Sequence, residues 1–270
     1  MFVTDAPFGR WRTERSRRAA AFRSGGMSRR VPGIGAFALM LAALLPFASS
    51  AGAQTAYAPG GLFIHPTAFA LPEHQLSLYA AAFTWRSPGE TESTQFPVAL
   101  TYTPTGRLQV SALALYHNEA DEPPHTHIGA FLKYQIAPDS RSSPALAIAG
   151  TYTGRDHFET ALSATSSHAF RSGGRRIVAL HVGLKWLRTA DKEGNQSDIG
   201  GFIGAQVPLG RNWDLVGETS TRLKIDFASA TAFGVMYHSR RGTLLTFALL
   251  NDGLSQPLRP FFGVGLPLRR

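Results

Sequence analysis

Four stretches of the 270-residue chain carry side chains able to do chemistry. In HNEADEPPHTH, the residues His117, Glu119, Asp121, Glu122, His125 and His127 fall within eleven positions. Imidazoles and carboxylates together are ligands for zinc or a similar ion. Pro123 and Pro124 interrupt the spacing, and a solvated loop contains the same residue types, so the stretch is read as a loop and no metal is assigned. Ser166 and His168, with Glu159 upstream, are the residue types of a hydrolase in which histidine activates serine. Their order is reversed, and Ser166 shares a strand face with Leu162 and Ala164. His238 and Ser239 are adjacent, so in a strand they point to opposite sides. No catalytic residue is assigned. The fourth stretch is WDLVGETSTRLK, where Asp214, Glu218, Ser220, Arg222 and Lys224 share one face opposite Trp213, Leu215 and Leu223. A phosphate-binding Gly-Lys loop, a dinucleotide fingerprint and an HExxH pair are all missing, and no cofactor is assigned.

The charged face of WDLVGETSTRLK belongs to a wider pattern. Runs of about ten residues with alternating polarity recur along the chain, each closed by a turn-rich break. They begin near Gln75, Gln95, Arg107, Thr126, Ala145, Phe158, Ile177, Asp198, Asn212, Ser229, Thr243 and Arg259. Twelve strands of this length are expected, an even number suited to crossing a membrane. In one, Ile128, Ala130, Leu132, Tyr134 and Ile136 oppose His127, Gly129, Phe131, Lys133 and Gln135; in another, Val178 to Trp186 oppose His181, Gly183 and Lys185. A basic charge on a lipid face near the midplane costs about 2–4 kcal/mol. The polar faces are therefore expected to line a lumen, with Lys133, Gln135, Glu159, His181, Lys185, Gln206, Asp214, Glu218, Arg222 and Lys224 as its candidates.

Alternation alone also suits a soluble β-sandwich. Aromatic residues near the strand ends (Trp85, Tyr116, Tyr134, Tyr152, Trp186, Trp213, Tyr237) favour lipid, as do the glycines and alanines on the inner face. The breaks RSPGETEST, NEADEPPHTH and RTADKEGNQS read as long outer loops, and TPTGR, PLGRN and SRRG as short periplasmic turns. The expected fold is all-β: a single antiparallel up-and-down transmembrane β-barrel of about twelve strands over residues 75–270.

The formal charge of +9 is concentrated early: residues 1–26 carry +4 and residues 27–53 a further +2, leaving +3 for the remainder. A nucleic-acid partner is not expected from so mild a balance. From Met27, two arginines precede an apolar run from Ile34 to Ala48, followed by Ala51-Gly52-Ala53, the layout of a cleaved signal peptide. Pro32, Pro46 and the short run disfavour a spanning helix. Residues 1–26 are read as a non-native upstream extension, 27–53 as the signal peptide and 54–74 as a periplasmic lead-in. The chain has no cysteine, so lipid anchoring through one is not available. Export to the outer membrane of a Gram-negative envelope is expected, as a monomer among its lipids. Arg175-Arg176 and Arg240-Arg241 fall in periplasmic turns, and no function follows for them.

The lead-in holds a distinct pattern: Gly61, Leu62, Phe63, Ile64, His65, Pro66, Thr67 and Ala68, then Leu71-Pro72-Glu73. Proline sits at sheet margins, so Pro66 and Pro72 confine regular pairing to residues after about Gln75. The apolar Leu62, Phe63 and Ile64 are expected to tuck against or into the barrel mouth, as a rim brace or partial plug. The pattern resembles the opening of the YjbH-type outer-membrane barrels, a family linked to exopolysaccharide or capsule export. Its barrels begin with Gly-Leu-x-x-x-Pro-Thr-Ala. The resemblance implies a barrel with envelope polysaccharide, or the proteins that export it, as partners. At the other end, Phe262, Val264, Leu266 and Leu268 alternate like a closing strand read by the barrel-assembly machinery, without the usual final aromatic. The expected function is a narrow channel, or a structural or secretion-associated barrel, linked to envelope polysaccharide export. The alternatives are an outer-membrane lipid-modifying hydrolase and a periplasmic ligand-binding β-sandwich.

Overall fold

The computed structural model describes residues 61–85, 93–119, 123–154, 158–191, 194–222, 230–251 and 258–269. Residues 1–60, with the expected extension and signal peptide, lie outside them, as does Lys224. Twelve strands run in chain order: β1 (Leu76–Trp85), β2 (Ser93–Thr105), β3 (Leu108–Glu119), β4 (His125–Ala137), β5 (Ala145–Gly154) and β6 (Phe158–Ser172). They continue as β7 (Arg175–Asp191), β8 (Gly194–Pro208), β9 (Trp213–Arg222), β10 (Ala230–His238), β11 (Leu244–Asn251) and β12 (Arg259–Arg269). Each pairs antiparallel with its neighbours in sequence, and β1 pairs with β12 through Leu78↔Leu266 and Ala80↔Val264. The wall is therefore a closed barrel, and the two-sheet sandwich is excluded.

Closure satisfies the backbone of every strand within the wall, the condition for crossing hydrocarbon. Side chains then divide by parity. Ile128, Leu132, Leu184, Val182, Ile203 and Phe233 are all more than half exposed on the outer face, while Lys133, Gln135, His181, Gln206 and Glu218 are buried inside. An apolar exterior on this scale is untenable in water and suited to lipid. Tyr102, Tyr134 and Trp213 stand on it near one end, and Tyr116 and Tyr152 near the other, as interfacial girdles do.

The two ends differ. One carries short turns: Thr105 pairs with Leu108 across a two-residue turn, and Ser172 pairs with Arg175 across Gly173-Gly174. Both of those glycines have positive φ, 56° and 78°, the geometry a hairpin turn of this length demands. Among outer-membrane barrels, short turns mark the periplasmic side. At the opposite, loop end the structure departs from expectation at RTADKEGNQS. Asp191 pairs with Gly194, so most of that stretch extends β7 and β8 instead of forming a long loop. Cross-strand pairing had already satisfied its backbone, and its polar composition could not reveal that. His117, His125 and His127 likewise lie on the paired ends of β3 and β4, not in a loop.

Candidate functional site

The lumen is occupied by the chain itself. Residues 61–71 run inside the barrel before the chain turns at Pro72–His74 into β1. There the His74 N–H donates to the Thr103 carbonyl (2.7 Å) and Thr103 donates back to Gln75 (3.0 Å). His74 has φ 59°, a left-handed conformation that histidine adopts more readily than most residues. Among the described residues the segment begins in a tight turn inside the barrel, in which Leu62 N–H donates to the His65 carbonyl at 2.8 Å and Gly61 bridges Pro66. It thus enters further than the rim, to a depth at which Leu62 and Phe63 are fully buried.

Each part of the segment has a polar or apolar anchor on a different strand. Glu218 of β9 accepts the Ile64 N–H at 2.5 Å, the His65 N–H at 3.2 Å and the His65 Nδ1–H at 2.9 Å. The His65 ring stacks on Phe202 of β8, with centroids 4.4 Å apart. Ser167 of β6 accepts the Ala68 N–H at 2.8 Å. On β4, Gln135 Nε2 donates to the Ala68 carbonyl (2.7 Å) and Lys133 Nζ to the Phe69 carbonyl (2.8 Å). Phe69 meets the ring of His181 on β7 edge-on at 5.4 Å. A buried backbone without partners would be costly, and these wall side chains supply them.

Above the polar anchors, Leu62 and Phe63 complete an apolar cluster with Tyr79, Phe83, Phe131, Met236, Leu250 and Phe261. Gly204 leaves the space Leu62 uses, since a Cβ there would collide with the Leu62 side chain. The barrel is therefore filled across part of its bore by its N-terminal segment.

Beneath the segment, at the turn end, a cavity of about 930 Å³ remains. Thr67, Phe69, Ala70 and Leu71 form one side of it; Arg175, Arg176, Gln206, Arg211, Asn212, Asp214 and His238 are on the other. Asp214 is saturated: it accepts from Arg176 Nη2 at 2.8 and 2.9 Å, from Gln206 Nε2 at 2.6 Å and from His238 Nε2 at 3.0 Å.

Of the lumen candidates, Lys133, Gln135, His181 and Glu218 meet around the segment, and Gln206 and Asp214 meet at the cavity. Glu159 and Lys185 face inward on β6 and β7, nearer the loop end. Arg222 ends β9, and its side chain lies outside the described residues. All six motif residues, Gly61, Leu62, Pro66, Thr67, Ala68 and Pro72, fall in the inserted segment or its exit turn. Sequence reasoning missed Arg176 and His238 as partners of Asp214, and Ser167 as an anchor.

The hydrolase candidates do not assemble. His168 pairs with Asp139 at 2.9 Å, and Ser166 keeps to the outer face with Leu162. The serine–histidine contact that does form is Ser167 Oγ to His181 Nδ1 at 2.8 Å. There the hydroxyl is engaged by the Ala68 amide, and His181 Nε2 has no partner among the described residues. The rings of His117, His125 and His127 lie 4.9–5.4 Å apart. Among the described residues, no group of three or more potential ligands is arranged to hold a metal ion.

Compared with solved structures, the barrel is similar to the KdgM porin in complex with disordered oligogalacturonate. The TM-score is 0.51 at 7% identity, covering 72% of this chain and 99% of that one. The likeness is one of fold, a closed antiparallel barrel. A second similar structure is the NanC porin, with a TM-score of 0.48 and 10% identity, covering 72% of this chain and 100% of that one. No family model and no curated protein matches the chain. With its closed wall and lipid-facing exterior, this porin-like barrel resides in the outer membrane.

Proposed function

We propose that the protein is a narrow outer-membrane channel for an envelope polysaccharide, held shut by its own N-terminal segment. The observation that carries this reading is the route of residues 61–71 across the lumen, anchored on β4, β6, β7, β8 and β9 through side chains of one inward face. A wall that needed only rigidity could place apolar side chains there, as small barrels do. Here the buried polar groups are matched to the backbone of a segment that belongs to none of the wall strands. The saccharide assignment is supported by the YjbH-like pattern at Gly61 to Glu73 and by the oligogalacturonate bound to the similar KdgM porin.

The test is conductance in planar bilayers. The full chain should give little steady current, and a variant lacking residues 61–71 should open a stable channel. Both should first show the heat-dependent gel mobility of a folded barrel. A deletion variant that keeps that mobility but passes no ions would replace this reading with a filled, structural barrel.

A further inference from the structure

Arginines gather at the turn end of the barrel. Eight of them stand on or beside the five turns there, against three carboxylates, Glu73, Asp139 and Asp214, among the described side chains. Two of those carboxylates are already engaged. Asp139 pairs with Arg171 at 2.8 Å and with His168, and Asp214 is saturated by Arg176, Gln206 and His238. Arg175 and Arg211 are exposed, line the cavity of about 930 Å³, and have no carboxylate partner among the described residues.

We propose that this cavity is a docking site for an acidic polysaccharide, with Arg175 and Arg211 binding its anionic substituents. The proposal rests on the reading of the barrel as a saccharide channel, and it names the substrate's charge and the face from which it is received.

Four features carry it. The volume lies near the top of the range for ligand clefts, roughly 300–1,000 Å³, larger than a single small anion requires. Guanidinium groups favour bidentate contact with carboxylate or phosphate oxygens. Asn212 beside them offers amide groups to sugar hydroxyls. Finally, the inner side of the cavity is the inserted segment itself, through Thr67, Phe69, Ala70 and Leu71. A chain docked here would rest against the element that closes the lumen.

The occupant's anionic groups could be carboxylates or phosphates, and the experiment separates a polymer from a simple anion. The full chain in detergent is titrated by calorimetry with oligogalacturonate, with a neutral oligosaccharide of equal length, and with inorganic phosphate. The acidic oligomer should bind saturably and weaken with salt, while the neutral one should give no heat of binding. Phosphate should compete only weakly.

The double variant Arg175→Ala/Arg211→Ala should bind the acidic oligomer about tenfold or more weakly, through loss of two charge-assisted contacts. Arg107→Ala, in a separate depression beside Glu73, should leave binding unchanged. Equal binding of neutral and acidic oligomers, full competition by phosphate, or an equal loss in Arg107→Ala would each overturn the proposal, as would no binding at all. Both altered arginines are exposed at turns, and heat-dependent mobility checks that the variants fold. The titration does not depend on conduction, so its failure leaves the channel reading to the conductance test, and the reverse also holds.

Discussion

Glu218 concentrates the hold on the inserted segment in one side chain, accepting three hydrogen bonds from two consecutive residues, Ile64 and His65. Leaving a buried hydrogen-bonding group without its partner costs about 1–3 kcal/mol, and Glu218→Ala leaves the Ile64 and His65 amides so, which should release the segment locally. The chain has no cysteine, so a single Phe63→Cys probe reports the release directly. Phe63 is fully buried, and its thiol should label at least about tenfold faster once Glu218 is alanine; equal rates would show that the anchor lies elsewhere. Tyr79 gives the opposite sign. Its hydroxyl is buried in the apolar cluster with no partner among the described residues, so Tyr79→Phe should stabilise the barrel by about 1 kcal/mol in denaturant titrations. At this scale, parity made Lys133, Gln135, His181 and Glu218 legible as inward-facing. It could not place Arg176. Arg171 pairs with Arg176 while Phe170 pairs with Val178, so Ile177 is an extra residue that reverses the alternation, as a β-bulge does. Ser167 was hidden because its partner, Ala68, is 99 residues away.

The strands were the most readable elements, because a half-buried strand writes its two faces into a period of two. All twelve begin within four residues of the expected positions, and the largest displacement, from Asp198 to Gly194, is where pairing with β7 carries the ladder on. Interior glycines tie two elements together. A Cβ at Gly183 on β7 would meet the ring of Phe202 on β8 and the Ala164 carbonyl oxygen on β6. Phe202 in turn supports the His65 ring. Gly183→Val should therefore destabilise the wall by about 1–3 kcal/mol, the usual cost of overpacking, and also speed labelling of the Phe63→Cys probe. Gly201, whose added Cβ would meet nothing closer than 3.8 Å, is the matched control: Gly201→Val should leave the labelling rate unchanged. The inserted segment was less legible than the strands. Pro66 and Pro72 showed that it is not a strand, but its depth is fixed by contacts on five separate strands.

For the molecule as a whole, the decisive property is the contrast of its two surfaces: apolar outside, and within a mix of polar anchors and an apolar cluster occupied by the chain itself. Leu184, on the outer face of β7 at 64% exposure, tests the outer one. Leu184→Arg should cost about 2–4 kcal/mol if the site lies near the membrane midplane, measured by unfolding from lipid vesicles, against less than about 0.5 kcal/mol for a substitution on a water-exposed surface. The smaller value would take this face out of the lipid.

The joining of β1 to β12 sets the order in which the molecule can be made. Residues 61–71 lie directly upstream of β1, yet they bind walls as distant in sequence as Glu218, 153 residues from His65. Once the first and last strands have zipped together, the interior is reachable only through its two mouths, so the segment is best laid across the unfinished sheet before the seam closes. Non-local contacts of this kind are slow to form. During that wait the edges of β1 and β12 stand unpaired, a template for joining another chain. The piece that shuts the finished barrel thus lengthens the time for which the unfinished one stays open along its side.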